Sequence, residues 1–274
     1  NNFDNNNGRI NFNGNLKNIS KYKFAKIKNF QQYDPQISFY KNDIIFFDNK
    51  GTILRFNNDS DLIWKKNIYT KSEKKKNPIL FFENDKKILI VADNIAKYYA
   101  IDIDTGELLW SKNNTAPFNS QIKIYKDKFF LIDFENILRA YSVKDGKEIW
   151  NMITENSFIR TQKKLSMVIV DGKIYFNNFS GEISSVDIES GELLWQTPTE
   201  NRLTYDESFF LMTSDIVADK KAIYFSNNKN KFFSLNIQTG SLNWTQKINS
   251  NLRPTLIDNY IFTVSLDGHL FVVE

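Results

Sequence analysis

The chain has 274 residues, of which 41% are hydrophobic and 15% aromatic, so it can bury a large apolar core. Its 36 basic and 32 acidic residues leave a net charge of only +4, and this balance gives little support to nucleic-acid binding. The absence of cysteine excludes disulfides, thiol catalysis and cysteine-ligated zinc, and no apolar run reaches the roughly 18 residues of a membrane-spanning helix.

The chain opens inside a repeat. Phe3-Asp-Asn-Asn-Asn-Gly8 is similar to Phe47-Asp-Asn-Lys-Gly51, so residues 1–24 read as the last half of one unit. The first complete repeat follows, with period-2 strands predicted at 36–40, 43–48, 52–57 and 62–66. Lys71–Lys76 is polar and charged, which favours a solvated loop.

Four further complete repeats and one partial repeat follow along the chain. Longer connections lie at 153–164 and from 198 to about 211. Strands are predicted at 79–82, 87–92, 97–103 and 108–111; at 121–125, 128–133, 138–143 and 148–152; at 165–170, 173–177, 182–188 and 193–197; at 216–218, 222–226, 231–237 and 242–247; and at 255–257, 260–265 and 269–273.

One stretch recurs at the end of each complete repeat. Ala100–Trp110, Ala140–Trp150, Ser185–Trp195 and Ser234–Trp244 each place Gly four residues before Trp, and Leu54–Trp64 is a degenerate copy. The pattern predicts a hairpin in which Gly takes positive φ and Trp covers the neighbouring unit. The residues assigned to this structural repeat are Gly106, Trp110, Gly146, Trp150, Gly191, Trp195, Gly240 and Trp244.

The period of the repeat indicates the fold. Successive tryptophans, from Trp64 onward, are spaced by 46, 40, 45 and 49 residues. A period of about 40–50 residues with four strands per unit is typical of a β-propeller. We therefore predict an all-β propeller of four-stranded antiparallel blades, six to eight in number, forming a single domain over 1–274 that begins and ends inside a repeat.

Few residues suggest catalysis. Asp102, Asp104, Asp187 and Glu189 form carboxylate pairs two residues apart, but they recur at one place in the hairpin, which favours a turn role. His269 is the only histidine, so a His-based triad or metal site has no partner. We predict no catalytic, cofactor or metal site and no enzymatic activity.

The repeated Gly-x-x-x-Trp motif of these hairpins resembles the repeat of the quinoprotein-like propellers. Within that superfamily, the chain is similar in size, in its Trp repeat and in its inter-blade connections to the BamB-like lipoproteins. This resemblance implies a periplasmic, outer-membrane-associated scaffold without cofactor. It would be an accessory subunit of the β-barrel assembly machinery, binding the central barrel-assembly protein and touching the membrane only through a lipid anchor outside this chain.

The resemblance also suggests a partner-binding patch. Ser157-Phe158-Ile159-Arg160 follows Trp150, and Ser214-Asp215-Ile216-Val217 follows Trp195, in partial agreement with two docking segments of that family. Both lie in long connections that leave consecutive blades. We therefore expect Phe158, Ile159, Arg160 and Asp215 to contact the partner.

Two alternatives remain open. Quinone-dependent dehydrogenases share the repeat, although they are much longer and many carry a vicinal disulfide that a chain without cysteine cannot form. A luminal sensor-type propeller that binds proteins also shares it. A cofactor-dependent activity would select the first, and a downstream transmembrane segment the second.

Overall fold

The computed structural model describes residues 3–6, 21–22, 36–154, 164–200 and 211–274. These residues divide into two compact units. Unit 1 contains the described residues between 12 and 134 together with 140–149. Unit 2 contains the described residues between 2 and 11, the segment 135–139 and the described residues from 150 to 274.

Almost all regular structure in these ranges is β-strand. The described strands form six antiparallel sheets, and in every sheet the strand order follows the chain. Five sheets have four strands and the sixth has three. The predicted all-β fold of four-stranded antiparallel sheets is confirmed.

The first three sheets have the following strands. The first contains β1 (Ser38–Tyr40), β2 (Asp43–Phe47), β3 (Ile53–Phe56) and β4 (Leu62–Lys66). The second contains β5 (Leu80–Asp85), β6 (Ile88–Asp93), β7 (Lys97–Asp102) and β8 (Leu108–Asn113). The third contains β9 (Lys123–Tyr125), β10 (Lys128–Ile132), β11 (Ile137–Ser142) and β12 (Glu148–Ile153).

The last three sheets lie in unit 2. The fourth contains β13 (Met167–Val170), β14 (Lys173–Asn177), β15 (Ile183–Asp187) and β16 (Leu193–Thr197). The fifth contains β17 (Val217–Ala218), β18 (Ala222–Asn227), β19 (Lys231–Asn236) and β20 (Leu242–Gln246). The sixth contains β21 (Thr255–Ile257), β22 (Tyr260–Val264) and β23 (Leu270–Val273).

Burial differs between the middle and the outer strands. In β7 the four central residues, Tyr98–Ile101, are all buried, whereas β8 leaves Leu108 and Leu109 exposed. A strand covered on both faces reads as a continuous apolar run, and a strand at the surface does not. The third strand of each four-stranded sheet therefore belongs to the core and the fourth to the surface.

The core lies between successive sheets within each unit. In unit 1, Phe47 and Ile53 of the first sheet pack with Val91 and Tyr99 of the second. A second cluster joins the second sheet to Phe118, Phe129 and Tyr141. In unit 2, Val168, Tyr175 and Ile183 pack with Ile216, Phe225 and Leu235. Sheets that are apolar on both faces are thus covered by their neighbours.

The loop predicted at Lys71–Lys76 is partly helical. Lys71–Lys74 forms the one-turn helix α1, because Thr70 caps its first turn. The Glu73 amide donates to Thr70 Oγ1 at 3.3 Å, and the Thr70 amide donates to Glu73 Oε2 at 2.8 Å. This capping box was readable in the sequence as Thr-x-x-Glu, so the loop prediction was wrong at this point.

Candidate functional site

The glycine of each repeated hairpin is covered by the Trp of the preceding sheet. All four glycines have φ between +65° and +76°. A Cβ atom added to them would collide with an indole ring, at 2.8 Å for Gly106 and Trp64, 2.6 Å for Gly146 and Trp110, 2.7 Å for Gly191 and Trp150, and 2.4 Å for Gly240 and Trp195. Glycine is therefore needed for close packing as well as for its backbone conformation.

Hydrogen bonds to the backbone orient these indoles. Trp64 Nε1 donates to Ile103 O at 2.9 Å, Trp110 Nε1 to Val143 O at 3.0 Å, and Trp195 Nε1 to Ile237 O at 3.3 Å. The rings are half-buried, because the strand that carries them lies at the surface. They join neighbouring sheets.

Trp244 differs from the other four. It stacks on Phe232 of its own sheet, with ring centroids 5.9 Å apart and planes within 13°. In the described part of the chain, no glycine hairpin lies against its ring and no acceptor binds its Nε1. It packs against a cluster of the buried residues Phe232, Ile248 and Ile261, the last of which lies in the sixth sheet.

The paired carboxylates of the hairpins bind their own turns. Asp102 Oδ1 accepts hydrogen bonds from the amides of Asp104 and Thr105 at 3.0 and 2.9 Å, and Asp187 Oδ1 accepts those of Glu189 and Ser190 at 3.0 and 2.8 Å. The Thr105 amide is the largest cause that lowers the pKa of Asp102. These carboxylates therefore stay ionised and stabilise the turn.

Asp104 belongs to a charged cluster between the first two sheets. Its carboxylate lies 3.7 Å from Arg55 Nη1, 3.6 Å from Lys41 Nζ and 3.7 Å from Lys87 Nζ. Arg55 is almost fully buried and also donates to Asp43 through Nε at 2.8 Å. Because its Nη1 donates to Ile103 O at 2.6 Å, the same carbonyl that accepts from Trp64, this cluster reinforces the contact between the sheets.

Asp93 is a fully buried carboxylate of unit 1 that accepts several hydrogen bonds. Tyr69 donates its hydroxyl to Asp93 Oδ2 at 2.6 Å, and the amides of Ile95 and Lys97 donate to Oδ1 at 2.9 and 2.8 Å. Burial raises the pKa of Asp93, and these bonds oppose the increase. Asp48 binds the amides of its own hairpin in the same way, so Asp93 is a hairpin residue with an added tyrosine partner.

The only histidine of the sequence, His269, does not belong to a group of metal ligands among the residues that the structure describes. His269 is exposed, with Nδ1 2.9 Å from Asp267 Oδ2. Within the described ranges, no three His, Asp or Glu side chains are placed to hold an ion together. In the same part of the chain, no helix has the length and apolar character needed to cross a membrane.

Of the residues predicted to contact a partner, the structure describes one. Phe158, Ile159 and Arg160 lie outside the described residues. Asp215 lies two residues before β17 and accepts a hydrogen bond from Arg253 Nε at 2.9 Å. Arg253 Nη2 binds the same oxygen, and the two side chains are 20% and 32% exposed.

Arg253 was missed by the sequence analysis. It lies two residues before β21, the position that Asp215 has before β17, so matching the connections across the two repeats would have found it. Placed on consecutive sheets, the two residues form a half-exposed ion pair, called here the Asp215–Arg253 pair.

Together, the sequential four-stranded sheets and the Gly–Trp contacts between them define a β-propeller built from the quinoprotein-like repeat. Residues 49–274 match the protein family described as outer membrane protein assembly factor BamB, and the chain belongs to that family. A search of curated proteins finds no match.

Solved structures share the fold at low sequence identity. BamB from Moraxella catarrhalis matches with a TM-score of 0.70 and 14% identity, over 86% of this chain and 71% of that one. The computationally designed Ika8 protein matches with a TM-score of 0.68 and 14% identity, over 86% and 69%. Quinohemoprotein alcohol dehydrogenase ADHIIG from Pseudomonas putida HK5 matches with a TM-score of 0.60 and 14% identity, over 77% and 41%.

Proposed function

We propose that this chain is a non-enzymatic scaffold that binds another protein, as an accessory subunit of the machinery that assembles outer-membrane β-barrel proteins. The family match over residues 49–274 is the observation that carries this proposal. The partner is then the central barrel-assembly protein. The chain acts in the periplasm, held at the outer membrane by a lipid anchor outside residues 1–274.

The use of the repeated polar residues supports a scaffold. Asp102 and Asp187 bind backbone amides of their own turns, and Asp104 joins ion pairs between two sheets. Side chains committed in this way hold strands and hairpins in place. In rigid architectures of this kind, function lies on the connecting segments.

The partner surface is proposed to include the Asp215–Arg253 pair together with Phe158, Ile159 and Arg160. The pair lies on two connections that lead into β17 and β21, and both side chains keep part of their surface exposed. Charges held by each other on a rigid scaffold can set the register of a partner, while apolar residues beside them supply most of the affinity.

A charge swap separates recognition from stability. In the double variant Asp215→Arg/Arg253→Asp an ion pair can still form, so the fold keeps its link between the two connections, but the charges at the surface are reversed. We expect affinity for the periplasmic domains of the barrel-assembly protein to fall at least about tenfold at fixed salt, with unchanged melting temperature. The exposed pair Asp145 and Lys147, swapped in the same way, is the control and should bind like the wild type.

The remainder of the surface is tested separately. Arg160→Glu and Phe158→Ala should each weaken the same binding, because aromatic and Arg residues dominate protein interfaces. If the wild-type chain does not bind the barrel-assembly protein at all, the proposed function is wrong. If it binds and none of these variants changes the affinity, only the location of the surface is wrong.

Quinohemoprotein alcohol dehydrogenases share this fold, so the alternative function to be tested is that of a quinone-dependent dehydrogenase. Incubation with pyrroloquinoline quinone, calcium and a primary alcohol, followed by reduction of an artificial electron acceptor, tests it. We expect no reduction above the protein-free rate. Cofactor-dependent reduction would replace the scaffold proposal with a dehydrogenase.

A further inference from the structure

A short N-terminal segment lies against the first strands of the three sheets of unit 2. The amide of Ile169, in β13, donates to Phe3 O at 2.9 Å, and the amide of Ala218, in β17, donates to Asp4 O at 3.1 Å. Both strands pair with the next strand of their own sheet on the opposite edge. Consecutive carbonyls of one segment therefore bind the inner edges of two different sheets.

Asn5 is the centre of this contact. Its side chain is buried, and Nδ2 lies 3.2 Å from Ser166 Oγ, 3.1 Å from Met167 O and 2.9 Å from Ile216 O. Ser166 is itself buried and accepts a hydrogen bond from the Ile216 amide at 2.9 Å. Three acceptors face one NH₂ group, so the site favours an amide and disfavours a carboxylate at this position.

Asn6 extends the contact to the third sheet of the unit. Its Nδ2 donates to Leu256 O at 3.0 Å, and its Oδ1 accepts from the Leu256 amide at 3.0 Å. The side-chain amide thus pairs with both the N–H and the C=O of Leu256 in β21, as a residue of a neighbouring strand would. Asp4 Oδ1 accepts from the Asn6 amide at 2.9 Å, which holds the segment in the bound shape.

We propose that the inner edges of β13, β17 and β21 form a binding site for a turn-shaped peptide that carries two consecutive asparagines, and that Phe3–Asn6, in which Asn5 has a φ of +60°, is the segment that fills it within this chain. Recognition uses backbone groups at the strand edges together with the side-chain amides of the two asparagines. This site is independent of the Asp215–Arg253 pair and of the proposed function.

Because Phe3–Asn6 is covalently linked to the site that it fills, a free peptide must compete with it. A segment linked to its site has an effective concentration in the millimolar range, so a free peptide competes poorly with it. Weakening the tethered segment by Asn5→Asp/Asn6→Asp, in the full chain, should open the site. The free peptide to be offered is an acetylated and amidated copy of residues 3–6, Phe-Asp-Asn-Asn.

The expected result is binding to the Asn5→Asp/Asn6→Asp chain at least about tenfold tighter than to the wild-type chain, measured by titration calorimetry. A peptide with Asp at both asparagine positions should bind at least about tenfold more weakly. A peptide with Asn in place of Asp4 is the control, because it keeps the oxygen that accepts from the Asn6 amide. Equal binding of all three peptides, or no binding to the variant chain, would overturn the proposal.

The site itself offers a matched pair of variants. Adding Ser166→Ala to the Asn5→Asp/Asn6→Asp chain removes an acceptor that faces Asn5 and should abolish peptide binding. Ser214, three residues before β17, is also buried and accepts from the Ser226 amide at 2.9 Å, but no described hydrogen bond joins it to Phe3–Asn6. Ser214→Ala should leave peptide binding intact, and equal loss in both would overturn the proposal.

Hydrogen exchange provides a second measurement, in which the amides within β14 report whether a variant is folded. The amides of Ile169 and Ala218 should be protected from exchange, and single Asn5→Ala substitution should accelerate both at least about tenfold while amides within β14 keep their rates. Unchanged protection at Ile169 and Ala218 would contradict the contact on which the site depends.

Discussion

The fifth and sixth sheets follow each other along the chain, yet their third strands are buried very differently. Phe232 and Phe233 of β19 are 0% and 5% exposed, whereas the residues at the same places in β23, Leu270 and Phe271, are 64% and 36% exposed. Hairpin pairing with the preceding strand is equivalent in the two sheets. β20 pairs with β19 as a fourth strand, whereas among the described residues no fourth strand pairs with β23, so an apolar sequence alone does not bury a third strand.

The same two sheets also differ in whether their hairpin glycine packs against the tryptophan of the preceding sheet. Gly240, in the fifth sheet, lies under Trp195 of the fourth. Trp244, in the fifth, has no glycine hairpin of the sixth sheet beneath it among the described residues. In this repeat, the hairpin glycine of each sheet from the second to the fifth therefore packs against the tryptophan of the sheet before it.

The largest expected effect comes from truncating the two equivalent phenylalanines. Phe233→Ala removes a buried ring and should lower the free energy of unfolding by about 3–5 kcal/mol. Phe271→Ala removes a partly exposed ring and should cost about 1 kcal/mol. Urea denaturation of both variants checks this, and equal costs would mean that β23 is covered in solution as well as β19 is.

A smaller difference in unfolding free energy is expected between the variants Gly240→Ala and Gly268→Ala. Gly240→Ala combines positive φ with a Cβ only 2.4 Å from the Trp195 ring, so we expect a loss of about 2–3 kcal/mol. Gly268 also has positive φ, but nothing lies within 4 Å of its added Cβ. Gly268→Ala should therefore cost only about 1 kcal/mol. If both cost the same in thermal unfolding, the contact with Trp195 adds nothing to backbone strain.

The smallest expected change in unfolding free energy comes from breaking a partly exposed ion pair. It serves as a reference for the larger changes expected from the phenylalanine and glycine variants. Lys97 Nζ binds Glu73 Oε1 at 2.7 Å, and this bond is the main cause that lowers the pKa of Glu73 to about 2. The stabilisation is then complete above the ordinary pKa of 4.5 and is lost as pH falls from there towards 2.

Glu73→Gln should consequently cost at most about 1 kcal/mol at pH 7, because the pair is partly exposed. The difference in unfolding free energy between wild type and variant should shrink between pH 5 and pH 2. Glu107→Gln, at an exposed hairpin position, is the control. A difference that does not change with pH would show that the ion pair is not its source.

Much of the fold was predictable because it depends on local patterns. Period-2 runs gave the strands, and the spacing of Gly106 and Trp110 gave the hairpin. The sequence predicted that each Trp covers the neighbouring unit, but not that the Trp64 ring lies against Gly106, because this contact joins residues of two different repeats. Only the folded sheets show that this glycine serves packing as well as turn geometry.

The candidate sites were less predictable for the same reason. Asn5 contacts residues 161 to 211 positions away, and no local pattern marks such a partner. Arg253 could have been found by aligning connections between repeats, since it matches Asp215 in position. The similarity of Phe3–Gly8 to Phe47–Gly51 did not predict where Phe3–Asn6 lies.

The most direct test of the account compares Trp195→Ala with Trp244→Ala by equilibrium unfolding in urea. If each tryptophan stabilises the chain by docking on the hairpin of the next sheet, Trp195→Ala should cost about 2–3 kcal/mol, below the full range for a completely buried aromatic ring. Trp244→Ala, which loses only contacts such as the stack on Phe232, should cost about half as much. Equal losses of unfolding free energy, or a larger loss for Trp244→Ala, would contradict the claim that the tryptophans stabilise the chain by packing on the hairpin glycine of the next sheet.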